Sequence, residues 1–183
     1  VHSTEATRDL CELLLPDSGY LLEEEAFYAN RHGTSRHHPA LPLYTEQQAR
    51  QAIGRFVVHR WGDVFEPMPG VQVRFSNAGH LLGAASVHVQ WDDHSLLLSG
   101  DLGRNDDMLM RPPSPPPEAD TVIIESTYGD RVHARQDVLG SLAQVISKTA
   151  ARGGMLIVPA FAVGRAQTLL YCLAQLKAAR RIP

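Results

Sequence analysis

The sequence has only two cysteines, Cys11 and Cys172, far apart in a chain of 183 residues. That excludes the disulfide framework of a small secreted domain, and neither cysteine lies in a Cys-x-x-Cys pair that could hold zinc. The expectation is a reducing, cytoplasmic setting with both thiols buried as small apolar groups. No apolar run approaches the ~18 residues of a membrane span, and no signal-peptide or lipidation motif is visible, so no membrane is expected. Basic charge is not in excess. The formal net charge is -3 at pH 7, and no basic stripe of the kind a free-standing nucleic-acid binder shows is present. A nuclease is still allowed, because bound metal ions can bring positive charge locally. Lysine is scarce: of 17 basic residues only Lys148 and Lys177 are lysines. Arginine suits bidentate phosphate contacts, although a compositional bias is the simpler explanation. A Walker phosphate loop is missing, since no Gly-Lys-Ser/Thr ending occurs.

What is present is an ordinary globular composition, 44% hydrophobic and 20% charged, long enough for one domain or one and a fraction. Thr4 is the predicted N-cap of a first helix, with Leu10, Leu13 and Leu14 at helical spacing. Pro16 and Gly19 are expected to stop it, and a second helix is expected over 21–30. The stretch "RHGTSRHHPALPL" (31–43) reads as a polar loop. Thr45 caps a third helix, with Gln48 placed to complete a capping box.

The period then changes. "VQVRF" (71–75) and "ASVHVQW" (85–91) alternate, and "DDH" turns into "SLLLS" (95–99), which predicts a β-meander with one buried face. A proline-rich connector (111–120) leads to an apolar strand over 121–125. A helix over about 136–152, ended by Gly153-Gly154, a second apolar strand "MLIVPAF" (155–161) and a helix from Arg165 complete the chain. Strand, helix, strand, helix with short links predicts a parallel α/β arrangement. The fold class is therefore α/β in the broad sense (α+β), helices on an antiparallel-rich sheet followed by the start of a parallel unit.

Chemistry-bearing residues stand where these strands stop. His80 follows Gly79 in "SNAGHLLGA", where small residues let backbone approach a bound group, and imidazole suits zinc. A half-buried hydrogen-bonded histidine is the plain alternative. Asp101 ends "LLLSGD", where a carboxylate is costly unless paired or metal-bound; a turn aspartate is the alternative. Glu125 closes the next strand and starts "ESTYGDR", a position that could orient a histidine or simply cap the following turn. In "PAFAVGRAQ" (159–167) a helix N-terminus near Gly164 favours anions, with Arg165 in its first turn; a surface arginine is the alternative.

The motifs "GHLLGAAS", "SGDLG", "ESTYGDR-H" and "VPAFAVGRAQ", in that order, resemble the metallo-β-lactamase-fold nucleases that carry a β-CASP domain, the bacterial ribonucleases and the relatives of the pre-mRNA 3′-end endonuclease in particular. "EEEAFYANRHGTSRHHPALPLYT" resembles the bacterial members. The resemblance implies an αββα sandwich followed by the start of a β-CASP domain, with the division near residue 128: 1–128 the later part of the metallo-β-lactamase domain, 129–183 the beginning of the β-CASP domain. It implies His80 as a metal-binding histidine, Asp101 as the aspartate that bridges two zinc ions, and Glu125 as the acidic residue that supports a catalytic histidine. Thr127 and Arg165 fall in its substrate-contacting motifs. Zinc is the implied cofactor and RNA the implied partner and substrate, and a homodimer is compatible with it.

The family's His-x-His-x-Asp-His motif has no counterpart here, nor do its later β-CASP histidines. The chain opens on Val1 rather than Met and is expected to be an internal piece of a longer, zinc-dependent ribonuclease, inactive by itself. Two other readings stay open at this point: a small-molecule hydrolase on the same fold, such as a lactonase or thioesterase, and a non-catalytic subunit of an RNA-processing complex.

Overall fold

The computed structural model describes residues 1–132, 137–161 and 163–183. They form two compact units, Val1–Glu125 and Ser126–Pro183. Together they give the mixed α/β class expected from the sequence.

The first unit begins with β1 (His2–Thr4) and α1 (Glu5–His32). Thr4 caps α1, its hydroxyl accepting from the Thr7 amide at 3.3 Å. The helix does not stop at Pro16 or Gly19; it runs through both for 28 residues. The reason is tertiary. Pro16 and Gly19 are the residues α1 buries, and the Gly19 backbone lies directly against that of Thr45 and Glu46 at the start of α2 (Glu46–Ile53). The Glu23 carboxylate also accepts the Glu46 amide at 2.9 Å. This packing offsets the ~3 kcal/mol that an interior proline costs. The capping box of α2 is as predicted: Thr45 accepts from the Gln48 amide at 3.1 Å and Gln48 accepts from the Thr45 amide at 2.9 Å. The loop expected over 31–43 lies between the helices at 34–45, with Arg31 and His32 still in α1.

Three short strands were not legible in the sequence. β1 pairs in parallel with β2 (Val57–His59), and β3 (Val64–Met68) opens the main sheet. That sheet continues with β4 (Val71–Asn77), β5 (Ala85–Trp91), β6 (His94–Leu98) and β7 (Thr121–Ile123), in chain order across the sheet. β3 to β6 are antiparallel, β4 to β6 being the expected meander, and β7 lies parallel to β6. The register places Phe65, Val73, Val89 and Leu96 in one row and Phe75, Val87 and Leu98 in the next. The small β1–β2 sheet packs on this apolar face through stacked rings, with the His59 and Phe65 centroids 3.5 Å apart and those of Phe65 and Phe75 5.1 Å apart, edge on. The apolar strand expected over 121–125 is the shorter β7. It is an edge strand, and Val122 and Ile123 are exposed.

The opposite face of the sheet carries the row Arg74, His88, Leu97. His88 is 3% exposed and its Nε2 has no partner among the described residues. Burial, then the neighbouring Arg74 guanidinium, holds the His88 pKa below the ordinary histidine value, against a backbone hydrogen bond at Glu118. Burial, then His2, lowers that of His59, against the pull of Asp63. In both, folding favours the neutral ring. The stability this contributes is fully present above the unfolded histidine pKa of about 6.5, and it is lost as pH falls below that value through the lowered native pKa. The urea midpoint of the first unit is therefore expected to drop between about pH 7 and pH 5, and to drop less in a His59→Gln/His88→Gln double variant. An equal drop in both proteins would contradict this.

The second unit contains α3 (Val138–Ala151) and α4 (Arg165–Ala178). Asp137 caps α3 by accepting the Gly140 amide at 2.8 Å, and Gly153-Gly154 ends it as expected. Cys172 and Leu176 are buried in this unit. Residues 155–161, expected as a strand, are irregular and pair with nothing among the described residues; Met155, Ile157 and Phe161 are exposed. An apolar run becomes a strand only where neighbours take up its main-chain hydrogen bonds. Among the described residues no helix is long and apolar enough to cross a membrane.

Candidate metal centre

The meander fixes where its strand ends fall. β4 and β6 both run antiparallel to β5, and β7 runs parallel to β6. The C-terminal ends of β4, β6 and β7 therefore lie at one end of the sheet. His80 follows β4, Asp101 follows β6 and Glu125 follows β7. Three stops far apart in the chain thus converge.

The loops after β4 and β6 are joined through their main chains. The Gly103 amide donates to the Ala78 carbonyl at 2.8 Å. The 78–84 loop is closed by the Ala78 amide on the Ala84 carbonyl at 2.9 Å. It is held from outside by Thr4 and Thr7 at the start of α1, whose hydroxyls donate to the Gly83 carbonyl at 2.8 and 3.0 Å. The proline-rich connector holds the same end: the Ser114 amide donates to the Asn77 carbonyl, and Asn77 Nδ2 donates to the Pro112 carbonyl at 3.0 Å.

On this frame His80 Nε2 and Asp101 Oδ2 stand 4.0 Å apart. Metal–donor bonds of about 2.0–2.2 Å put two donors on one ion at most about 4.2 Å apart, and about 3.4 Å apart at a tetrahedral angle. The pair can therefore share one ion with a small side-chain rotation. The side chains are 45% and 73% exposed. This corrects the argument from desolvation: Asp101 is not buried at a strand tip, so its carboxylate does not need a partner to be tolerated. What stands in its place is convergence and accessibility. A zinc site takes three or four protein ligands, and among the described residues no group of three or more His, Cys, Asp or Glu could hold an ion. His80 and Asp101 fit part of a metal shell and do not complete one.

Glu125 is the third residue of the cluster. Its Oε1 accepts the amide of Leu102, next to Asp101, at 2.7 Å, and its own amide donates to Ser99 Oγ at 3.0 Å. Ser99 went unnoticed in the sequence. It is 7% exposed, and its hydroxyl also donates to the Gly100 carbonyl at 2.7 Å. Nothing in the sequence distinguishes it from an ordinary turn serine before Gly-Asp. Thr127 and Arg165 belong to the second unit. Both are exposed, and Arg165 lies over the Phe161 ring at 5.3 Å. His133, of the "ESTYGDR-H" motif, lies outside the described residues.

No family model matches the chain. Individual relatives do. A ribonuclease of Thermus thermophilus is 32% identical over 174 residues, covering 94% of this chain and 36% of the relative. Transcription termination factor FttA of Thermococcus kodakarensis is 31% identical over 179 residues, covering 94% of this chain and 26% of the relative. An RNase J-like protein of Methanocaldococcus jannaschii is 34% identical over 131 residues, covering 69% of this chain and 31% of the relative. The chain thus spans about a third or less of the length of these relatives. The relatives that match this chain through both units are thus β-CASP metallo-β-lactamase-fold nucleases, and the chain corresponds to a fragment of them.

Proposed function

We propose that the whole protein to which these residues belong hydrolyses RNA phosphodiester bonds with bound metal ions, zinc in the first place, in a reducing cytoplasm. The observation that carries this is the 4.0 Å approach of His80 and Asp101 at one end of the sheet, in a chain matched over 94% of its length by a protein named as a ribonuclease. In this reading residues 1–128 belong to the metallo-β-lactamase domain and 129–183 to the β-CASP domain. His80 offers a neutral imidazole nitrogen to one ion, and Asp101, with two anionic oxygens, is suited to bridge two. Bound metal supplies Lewis-acid activation of water and neutralises charge on the scissile phosphate. Glu125 supports a histidine that donates the proton to the leaving oxygen. Thr127 and Arg165 contact the RNA; a guanidinium matches phosphate bidentately.

Labelled RNA incubated with the whole protein is expected to be cleaved, to survive in the presence of chelator, and to be cleaved again when zinc is restored. Intact RNA beside turnover of a lactone would reverse the reading. The 183 residues alone are expected to leave RNA intact and to lose zinc on dialysis against chelator, because among the described residues only His80 and Asp101 come together as ligands. Stoichiometric zinc retained after that dialysis would overturn this second expectation.

A further inference from the structure

A metal ligand must be held within about 0.5 Å of its working position. The Asp101 side chain is 73% exposed, so packing does not hold it. The main chain on either side does. The peptide between Gly100 and Asp101 is pinned at its carbonyl, which accepts from Ser99 Oγ at 2.7 Å. The peptide between Asp101 and Leu102 is pinned at its N–H, which donates to Glu125 Oε1 at 2.7 Å. These are the two peptides whose orientations define φ and ψ of Asp101, so together they aim its Cα–Cβ bond.

The two anchors are themselves joined. The Glu125 amide donates to the same Ser99 hydroxyl at 3.0 Å. The Ser99 amide donates to the Ile123 carbonyl at 2.9 Å, and the Ser99 carbonyl accepts from Ser86 Oγ at 2.8 Å. A buried serine thus ties β5, β6 and the end of β7 into one ring of bonds around the Asp101 turn. An amide–carboxylate bond is charge-assisted and stronger than a neutral one. A carboxylate has about four lone-pair sites, so the Leu102 bond is one of several it can accept.

We propose that Glu125 is a positioning residue for Asp101: through the Leu102 amide, with Ser99 as the shared hub, it fixes the angle at which the Asp101 carboxylate meets a metal ion. This duty is separate from any hold Glu125 has on a histidine, and it rests on Asp101 being a ligand. Glu125→Gln separates the two duties. Its amide oxygen still accepts from Leu102, while the negative charge that would support a histidine is gone. Glu125→Ala removes both.

The test uses the whole protein with cobalt(II) as the metal, read by its visible absorption, and amide exchange at Leu102 in the metal-free protein. In Glu125→Ala, Leu102 exchange is expected to speed up, cobalt affinity to fall about 10- to 100-fold, and the cobalt bands to shift. In Glu125→Gln, Leu102 protection and the cobalt bands are expected to stay near those of the parent while RNA cleavage falls. Ser99→Ala, with nearly unchanged volume, is expected to follow Glu125→Ala in the bands and, more weakly, in affinity. Parent-like Leu102 exchange in Glu125→Ala overturns the anchor. Faster exchange with parent affinity and bands overturns the positioning, and so does an Asp101→Ala protein with parent bands. RNA left intact by a wild-type protein whose cobalt series behaves as described overturns the ribonuclease reading instead and leaves the positioning standing.

Discussion

Asp101→Asn in the whole protein is expected to slow RNA hydrolysis about a thousandfold, near 4 kcal/mol of transition-state stabilisation, and to leave the urea midpoint of the first unit within about 0.5 kcal/mol of the parent. The two halves of this expectation have separate causes. Asparagine is isosteric with aspartate but neutral, so it can no longer offer two anionic oxygens to a pair of ions. Folding is indifferent because the turn is held by main-chain groups: the Gly100 carbonyl, the Leu102 amide and the Gly103 amide are bonded to Ser99, Glu125 and Ala78. The Asp101 side chain itself makes one polar contact among the described residues, the 4.0 Å approach to His80. A kcat/KM within tenfold of the parent would remove Asp101 from the metal shell. A lost urea midpoint would show that the side chain, not the main chain, carries the turn.

That separation of side chain from scaffold explains what was legible in the sequence. β4 and β5 are legible because alternation follows the pleat, and the turn after β5 marks β6 as their continuation; three antiparallel strands in a row put the ends after β4 and β6 at the same end of the sheet. His80 and Asp101 could therefore be paired before any distance was known. The capping box at Thr45 and Gln48 was legible because both partners lie within one turn. What failed was everything set by contacts remote in sequence. Pro16 and Gly19 look like a helix end, but α2 packs on them and the helix continues. Residues 155–161 look like a strand, yet a strand is a property of its neighbours, and none pairs with them among the described residues. β1 and β2 are three residues long, too short for a period to show, and β3, VFEPM, carries a proline that reads as a break in a strand. Ser99 was invisible for the same reason: its partners Glu125 and Ser86 lie 26 and 13 residues away, and a serine before Gly-Asp looks like an ordinary turn.

Gly103→Ala is the substitution expected to damage the fold most within the site. A Cβ on Gly103 would land on the Gly79 carbonyl and within 2.8 Å of the His80 amide nitrogen. Both are main-chain groups, so no flexible side chain can swing aside. The Gly103 amide is also the donor that ties its loop to Ala78 at 2.8 Å, so relieving the clash must stretch the bond that joins the two loops. Overpacking against backbone is expected to cost about 3 kcal/mol, measured as a lowered urea midpoint of the first unit. The same movement separates His80 from Asp101. They already stand at 4.0 Å, and a ligand pair parted beyond about 4.2 Å cannot share an ion, so cobalt affinity in the whole protein is expected to fall more than tenfold. Gly54→Ala is the control. Gly54 has φ -62°, and its Cβ would meet only the Gln51 carbonyl, at 3.4 Å, so its midpoint is expected to stay put or rise by up to about 1 kcal/mol. A Gly103→Ala protein with both the midpoint and the cobalt affinity of the parent would mean that the loops after β4 and β6 do not touch, and the convergence on which the site rests would fall with that contact.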